Sequence, residues 1–442
     1  MAMRLVAAAC VLALVAGCAP TALPSVEPAG PTPAAPSATP TTPTPTVDRL
    51  AGWHADLAAL LPGMQALHPQ LAHSIPLSTL QAEVAKLDGQ VATATDDALM
   101  VGLLRIVAEV SRLGCDGHTG VFIWGTGHYP VDSLPLRLWV FDDGIYVVDA
   151  LDPYRGLIGQ RIASIAGEPI GAVTARVQDL VPQDNHQTIR LLIPRYLLIP
   201  QVLRGLDLAG PGPIDIETIP TVGAAQRTSV VPIPMAAYNA WAGPYGLHLP
   251  EDPNVLYLSR IDDALWWESL PDDPSTIFVQ YNRVDRIPTT TLAELKAALL
   301  APGVERVVLD VRHNFGGEMS AVDEVVAVFQ AAAAAHPGQL WLVTGRNTFS
   351  AAGIFVARLT KSSAATVLGE AMGGCPTTYG NSRDVMLPFS GIAVSVATTL
   401  AVGVDANDAR GTIDPDDPTP LTPEDWLNGT DPALAFLAAA GP

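Results

Sequence analysis

Ser350 stands where a catalytic nucleophile is well placed. The apolar run Leu340–Thr344 predicts a buried strand, residues 345–347 predict a polar turn, and a helical segment follows. The N-terminus of a helix offers unpaired N–H groups and the positive end of its dipole to a developing oxyanion. Ser350 is therefore a candidate nucleophile for acyl transfer, and the alternative interpretation is a serine that only caps the helix.

Two other segments carry residues that suit the same chemistry. The run 307–317 predicts a strand that ends in the Gly316-Gly317 turn, and His118 lies where a helical region gives way to strands. A histidine is the usual group that takes a proton from a serine. The Gly-x-Ser-x-Gly elbow of α/β-hydrolases is absent, because Thr348 and Ala352 occupy its glycine positions.

The elements that must position these residues follow from hydrophobic periodicity. Residues 48–113 predict helices, with apolar residues at 3.6-residue spacing after the start signal at residues 95–97. Residues 114–272 predict a β-rich region. From residue 273 to 442, apolar strands alternate with helices, which is typical of an α/β layer with a largely parallel sheet. The strands and helices expected in that layer are Ile277–Tyr281, Thr289–Leu300, Val307–Val311, Met319–Ala335, Leu340–Thr344, Ala351–Thr360 and Thr366–Leu368.

Composition excludes some classes of function. The chain has 442 residues, 49% of them hydrophobic, and a net charge of −20. Such a charge repels phosphate backbones and anionic lipid headgroups, so we expect no nucleic-acid partner. The remaining histidines show neither His-x₃-His nor His-Glu-x-x-His spacing, so no metal site is predicted.

The N-terminal residues predict export. Arg4 precedes the apolar run Leu5–Ala16, and Val15-Ala-Gly-Cys18 resembles a bacterial lipobox. We therefore expect a lipoprotein signal peptide over 1–17, lipidation of Cys18, and a Pro- and Thr-rich tether over 18–47 that holds the protein at the cell envelope. The alternative is an ordinary signal peptide with a chance cysteine.

Five collinear segments resemble the tail-specific (C-terminal processing) protease family of serine peptidases, in particular its tricorn-like branch. The family implies an α/β fold, hydrolysis of peptide or protein substrates, and no cofactor. The matching segments are Asp-Gly-His-Thr at 116–119, Leu-Asp-x-Arg-x-Asn-x-Gly-Gly at 309–317, Asn-Thr-Phe-Ser-Ala-Ala at 347–352, Leu-Gly-Glu-x-x-Gly-Gly at 368–374 and Asp-Pro-Asp…Gly-x-Asp-Pro-Ala-Leu at 414–434.

The resemblance implies roles for individual residues. Ser350 falls at the family's nucleophile, and Gly316, Gly317 and Ala351 fall at its oxyanion hole. Residues 142–170 look like a PDZ-type substrate-binding insert, without a clear carboxylate-binding loop.

The base is expected to be a histidine. The position at which one branch of the family carries its lysine base is Cys375 here. Lys361 lies too far along the same helix from Ser350, and the other lysines lie in amphipathic helices. That leaves His118 as the base, with a purely structural histidine as the alternative.

A histidine base usually needs an acid that orients it. The tricorn-like branch supplies this acid from its C-terminal part, which favours Asp408 here, with Asp405 and Asp116 as alternatives. His313, beside the Gly-Gly turn, is as consistent with lining the substrate groove as with no role.

Two cysteines remain after export, Cys115 and Cys375. Cys115 lies three residues before His118, and the family resemblance brings the Cys375 segment to the serine. We expect them to form a disulfide in an oxidising compartment. Two buried, unreactive thiols are the alternative.

The function expected from these features is that of an exported, lipid-anchored serine endopeptidase. Two alternatives stay open. One is a non-catalytic, peptide-binding lipoprotein on a degenerate protease fold, and the other is an esterase that uses the same residues.

Overall fold

A computed structural model describes residues 48–124, 129–243 and 247–440. The predicted signal peptide, the tether and Cys18 lie outside the described residues. Within the described ranges, no helix is both long enough and apolar enough to cross a bilayer.

The N-terminal part consists of helices, as its periodicity predicts. Thr95 caps the third of them, because its hydroxyl accepts the Ala98 N–H at 3.1 Å. The apolar face of that helix, which includes Leu99, Leu103 and Val107, is fully buried. The helices are α1 (Arg49–Leu67), α2 (Leu77–Asp88) and α3 (Asp96–Ala108).

The middle region carries an antiparallel sheet and four helices. The sheet has the order β2-β3-β4-β6-β7, with β5 paired to β4 and a separate β1–β8 pair. The assignment of residues 142–170 as PDZ-like stays a prediction. The elements are β1 (Asp132–Ser133), β2 (Leu136–Phe141), β3 (Gly144–Ala150), β4 (Arg161–Ile165), β5 (Glu168–Pro169), α4 (Ile170–Gln178), α5 (His186–Leu197), α6 (Pro200–Gly205), β6 (Ile214–Ile219), β7 (Gln226–Val230), β8 (Ile233–Pro234) and α7 (Met235–Ala242).

The C-terminal half is built on a second sheet. Its helices and most of its strands are β9 (Leu265–Leu270), β10 (Asp273–Tyr281), α8 (Thr289–Leu299), β11 (Arg306–Asp310), α9 (Val322–Ala335), β12 (Leu340–Thr344), α10 (Ala351–Ser362) and β13 (Thr366–Gly369). The remaining elements are β14 (Thr377–Gly380), β15 (Arg383–Met386), β16 (Ala393–Val396), β17 (Thr399–Val402), β18 (Asp417–Pro418), α11 (Pro423–Asn428) and α12 (Pro432–Ala440).

The second sheet has the strand order β18-β13-β12-β11-β10-β9, and every pair except β9–β10 is parallel. The predicted mixed α/β fold with a largely parallel sheet is therefore confirmed. Strands β11 and β12 are buried on both faces, which explains their continuous apolar sequences. Since parallel strands end at the same edge, the loops after β11 and β12 meet there.

A disulfide joins two distant loops at this edge. Cys115 and Cys375 are bonded across 260 residues, with Cα atoms 5.4 Å apart. Cys115 follows the N-terminal helices and Cys375 follows β13, so the bond ties the helical region to the α/β half.

Replacing both cysteines by serine is expected to lower the free energy of unfolding by about 5 kcal/mol, because the bond removes the closure entropy of a long loop from the unfolded chain. Urea unfolding with and without reductant measures this. The reduced wild type serves as control and should match the Cys115→Ser/Cys375→Ser variant. Alkylation of both thiols in denatured, unreduced protein would contradict the pairing.

Candidate active site

The turn that carries Ser350 is strained and firmly held. Ser350 has φ 56° and ψ −128°, a conformation that costs a non-glycine residue about 1–3 kcal/mol. The preceding residues are fixed by the loop after β11, because the Thr348 hydroxyl donates to the Val311 carbonyl at 2.8 Å and the Phe349 N–H donates to the Asn314 carbonyl at 3.1 Å. Ser350 makes no capping hydrogen bond, so its side chain is free for another partner.

That partner is His118. The Nε2 atom of His118 lies 3.0 Å from the Ser350 Oγ, although 232 residues separate the two in sequence. The Phe349 ring stacks on the imidazole at 4.6 Å, and the Gly380 backbone lies against it. Burial lowers the pKa of His118, and this effect outweighs the opposing influence of the Asp116 charge and the Tyr379 backbone. The imidazole is therefore neutral at pH 7, as a general base must be.

The structure does not place Asp408 beside His118, and this prediction is wrong. The Asp408 carboxylate accepts two hydrogen bonds from the Arg410 guanidinium, at 2.9 and 2.7 Å, which lower its pKa. Asp405 instead accepts the Asn407 N–H in its own loop. Both acids are held by neighbours two residues away. The Nδ1 atom of His118 is buried, and among the described residues no carboxylate hydrogen-bonds to it.

Asp116 lies close enough for its charge to act on His118, but its hydrogen bonds go elsewhere. Its Oδ2 contacts the Nε2 atoms of His68 at 3.1 Å and His73 at 3.0 Å. Burial acts to raise the pKa of Asp116, but these hydrogen bonds outweigh it and the pKa is lowered. Asp116 is therefore an anion next to the base without being its partner.

His68, His73 and Asp116 lie close enough together to suggest a metal site, with one ligand atom of each within 4.8 Å of the others. The tautomer of His68 argues against this. Its Nδ1 accepts the Gln70 N–H at 3.0 Å, so the neutral ring carries its proton on Nε2, which faces Asp116. A protonated Nε2 has no lone pair for a metal ion, and the cluster is a hydrogen-bond network.

The three residues predicted for the oxyanion hole differ in whether their backbone N–H already donates a hydrogen bond. The Gly316 N–H donates to the Asn314 Oδ1 at 2.9 Å, so it is not an available donor, and that part of the prediction is wrong. Neither the Gly317 N–H nor the Ala351 N–H donates a hydrogen bond within the described part of the chain. Gly316 matters through its lack of a side chain, because a Cβ there would lie 2.7 Å from both the Ala351 N and the Ser350 Cβ.

A cleft of about 630 Å³ opens beside His118 and Gly317. Its apolar walls include Phe122, Trp124, Leu191, Leu192 and Phe315. Such a cleft suits an apolar side chain of a bound peptide.

His313 also lines this cleft, stacked on the Tyr257 ring at 5.7 Å. Burial, together with the charges of His248 and Arg312, lowers the pKa of His313 to about 3. His313 is therefore neutral at pH 7 and contributes no positive charge to the cleft.

Comparison with known proteins supports the fold. No family model matches the chain, and no curated protein matches it in sequence. Solved structures do match. The chain is similar to mature CPAF complexed with lactacystin, with 14% identity and a TM-score of 0.59 over 88% of this chain and 97% of that one. It is also similar to mature CPAF alone, with 14% identity and a TM-score of 0.57 over 88% and 96%.

The chain shares its fold with mature CPAF. The resemblance predicted from the sequence is thus confirmed at the level of the fold. A further match, to the photosystem II D1 C-terminal processing protease, covers 86% of this chain and 94% of that one, with 13% identity and a TM-score of 0.35.

Within this fold, the sequence gives no sign of the role of Asp184, which precedes α5. Asp184 is buried, and its carboxylate accepts the N–H groups of Gly117 at 2.6 Å and Cys375 at 2.9 Å. The neighbouring Thr188 hydroxyl donates to the Gly373 carbonyl at 2.6 Å. The start of α5 therefore links the His118 loop to the loop after β13. A single acid in a loop carries no sequence signal for this role.

Replacing Gly316 by alanine is expected to lower hydrolysis by at least about 100-fold, because the new Cβ must displace the Ser350 turn. Steady-state kinetics with a fluorogenic peptide measures this. Gly171→Ala is the matched control, since Gly171 is exposed and a Cβ there meets nothing within 4 Å. Full activity of Gly316→Ala would contradict the assigned position of the nucleophile.

Proposed function

We propose that this chain is an exported, lipid-anchored serine endopeptidase that cleaves peptide bonds through an acyl-enzyme. The observation that carries the proposal is the 3.0 Å contact between the Ser350 Oγ and the His118 Nε2 on a tail-specific protease fold. A non-catalytic peptide-binding protein would have no need of a strained serine aimed at a neutral histidine.

In the proposed mechanism, the Ser350 Oγ attacks the carbonyl carbon of a peptide while His118 Nε2 takes the hydroxyl proton. The Gly317 and Ala351 N–H groups stabilise the oxyanion. His118 then gives the proton to the leaving amine as the C–N bond breaks, which leaves an ester on Ser350. A water molecule, deprotonated by His118, hydrolyses this ester and restores the serine.

The cleft supports a peptide substrate with a large apolar side chain near the bond that is cleaved. Its aromatic and leucine walls lie beside the proposed oxyanion donors, so a side chain bound there leaves the adjacent carbonyl near Ser350. Esterase activity by the same residues remains a second candidate, because the acyl-enzyme chemistry is the same for both.

Export and anchoring are proposed from the sequence, since Cys18 lies outside the described residues. The Cys115–Cys375 disulfide supports an oxidising compartment such as the cell envelope. The net charge of −20 leaves the predicted lipid as the expected means of membrane attachment.

Ser350→Ala is expected to lower cleavage of casein and of an apolar reporter peptide by at least about 10³-fold, because the nucleophile is removed. Ser362→Ala is the matched control, since this exposed serine lies at the other end of α10. Both variants should bind the peptide.

Cleavage of nitrophenyl esters without cleavage of peptides would favour the esterase. Peptide binding by the wild type without turnover of either substrate would favour the non-catalytic alternative.

A further inference from the structure

Asp184 is a buried acid near the proposed active site whose hydrogen bonds go to residues other than Ser350 and His118. Its Oδ1 accepts the Gly117 N–H at 2.6 Å and the Thr378 hydroxyl at 3.0 Å. Its Oδ2 accepts the Cys375 N–H at 2.9 Å. Its backbone carbonyl accepts the Cys115 N–H at 2.8 Å. One residue thus binds both partners of the disulfide and joins two backbone segments, 115–117 and 375–378.

These contacts fix the two backbone segments nearest to the His118 ring. Gly117 directly precedes His118, whereas Thr378 lies in β14, two residues before the Gly380 backbone that packs on the ring. Within the described residues, the His118 Nδ1 has no carboxylate partner. The ring is held instead by the Phe349 ring stacked on it and by the two backbone segments that Asp184 joins.

We propose that Asp184 is a positioning residue that takes the place of the missing carboxylate on His118: by holding Gly117, Cys375 and Thr378, it keeps the imidazole against Ser350 only while its own carboxylate is ionised. The inference rests on the proposed function, because it explains how the base of that reaction is held.

The dependence on ionisation follows from donor and acceptor counting. An ionised carboxylate only accepts hydrogen bonds, whereas a protonated one carries an O–H donor. The Thr378 hydroxyl can rotate to accept that proton, but the N–H groups of Gly117 and Cys375 cannot. A proton on Oδ2 therefore places an O–H donor beside the Cys375 N–H donor, which weakens that hydrogen bond. A proton on Oδ1 does the same to the hydrogen bond from the Gly117 N–H.

The surroundings of Asp184 bring the protonation of its carboxylate close to neutral pH. Burial and, to a smaller extent, the nearby Asp116 charge raise the pKa of Asp184 to about 7 against the lowering effect of its three hydrogen-bond donors. The loop that contains Gly117 carries two titratable groups: Asp116, whose pKa the hydrogen bonds from His68 and His73 lower, and His118, whose pKa burial lowers. As pH falls, reactivity should decline in two steps, first when Asp184 gains a proton and later when His118 does.

The test measures the rate at which a fluorophosphonate labels the full-length protein between pH 5 and 9. Asp184→Asn is expected to react about 10- to 100-fold more slowly at pH 8 and to lose the step near pH 7. Asp56→Asn is the matched control. Asp56 is another buried carboxylate that accepts two backbone N–H groups, from Phe389 at 2.7 Å and Ser390 at 3.0 Å, in a different part of the fold.

Thr378→Val is a milder variant that keeps the test valid if Asp184→Asn does not fold. It removes one donor to Asp184, so the neutral step should move to higher pH, because the ionised form loses a hydrogen bond. A purely structural role of Asp184 would leave the pH of this step unchanged.

Hydrogen–deuterium exchange provides a readout that does not need catalysis. Exchange over residues 113–119 and 372–380 should rise in Asp184→Asn and stay at the wild-type level in Asp56→Asn. Unchanged exchange in Asp184→Asn, or wild-type labelling with an unchanged pH profile, would overturn the inference. If the variants show the expected exchange differences but the fluorophosphonate does not label the wild type, the proposed function is contradicted instead.

Discussion

The hydrogen bonds that the buried Asp184 carboxylate accepts are the interaction on which the proposed active site depends. Ser350 and His118 are 232 residues apart and lie on separate loops that the fold must bring together. The Asp184 carboxylate accepts the Gly117 N–H from the histidine loop and the Cys375 N–H from the loop after β13. The Gly374 N–H then donates to the Thr348 carbonyl, which connects the junction to the nucleophile turn.

The parallel sheet positions the turn that carries Ser350. Strands β11 and β12 end at one edge, so the loops 311–317 and 345–350 meet and exchange hydrogen bonds. Those hydrogen bonds stabilise the Ser350 turn against its backbone strain. Asn314 makes a further link, because its side chain accepts the Gly316 N–H and donates to the Tyr281 carbonyl at 2.8 Å. The consequence is that Gly317 and Ala351, rather than Gly316, are left to bind an oxyanion.

Much of the fold could be predicted from the sequence because it depends on local periodicity. The strand Leu340–Thr344 has the predicted bounds, and the helix predicted over 289–300 ends one residue earlier, at Leu299. The sequence predicts one helix over Met319–Ala335, but its first turn is a 3₁₀ turn that precedes α9. Ser350 and His118 could be found because each stands within a short motif.

The contacts that involve single acids could not be predicted, because they depend on which side chains the fold brings together. Arg410 lies two residues from Asp408 and pairs with it, although the family resemblance favoured Asp408 as the orienting acid. Asp184 has no motif around it, and its donors come from residues 67 to 194 positions away. Asn314 lies within the motif at 309–317, but only the structure shows that its side chain accepts the Gly316 N–H.

The central claim, that Ser350 forms an acyl-enzyme with His118 as its base, is tested most directly by peptide mapping of protein quenched in acid during turnover of an activated ester. The account predicts one acyl group, on the peptide that contains Ser350, which appears before steady state and is absent from His118→Ala. Ester turnover with no acyl group on Ser350, or the same acylation rate in His118→Ala, would contradict it.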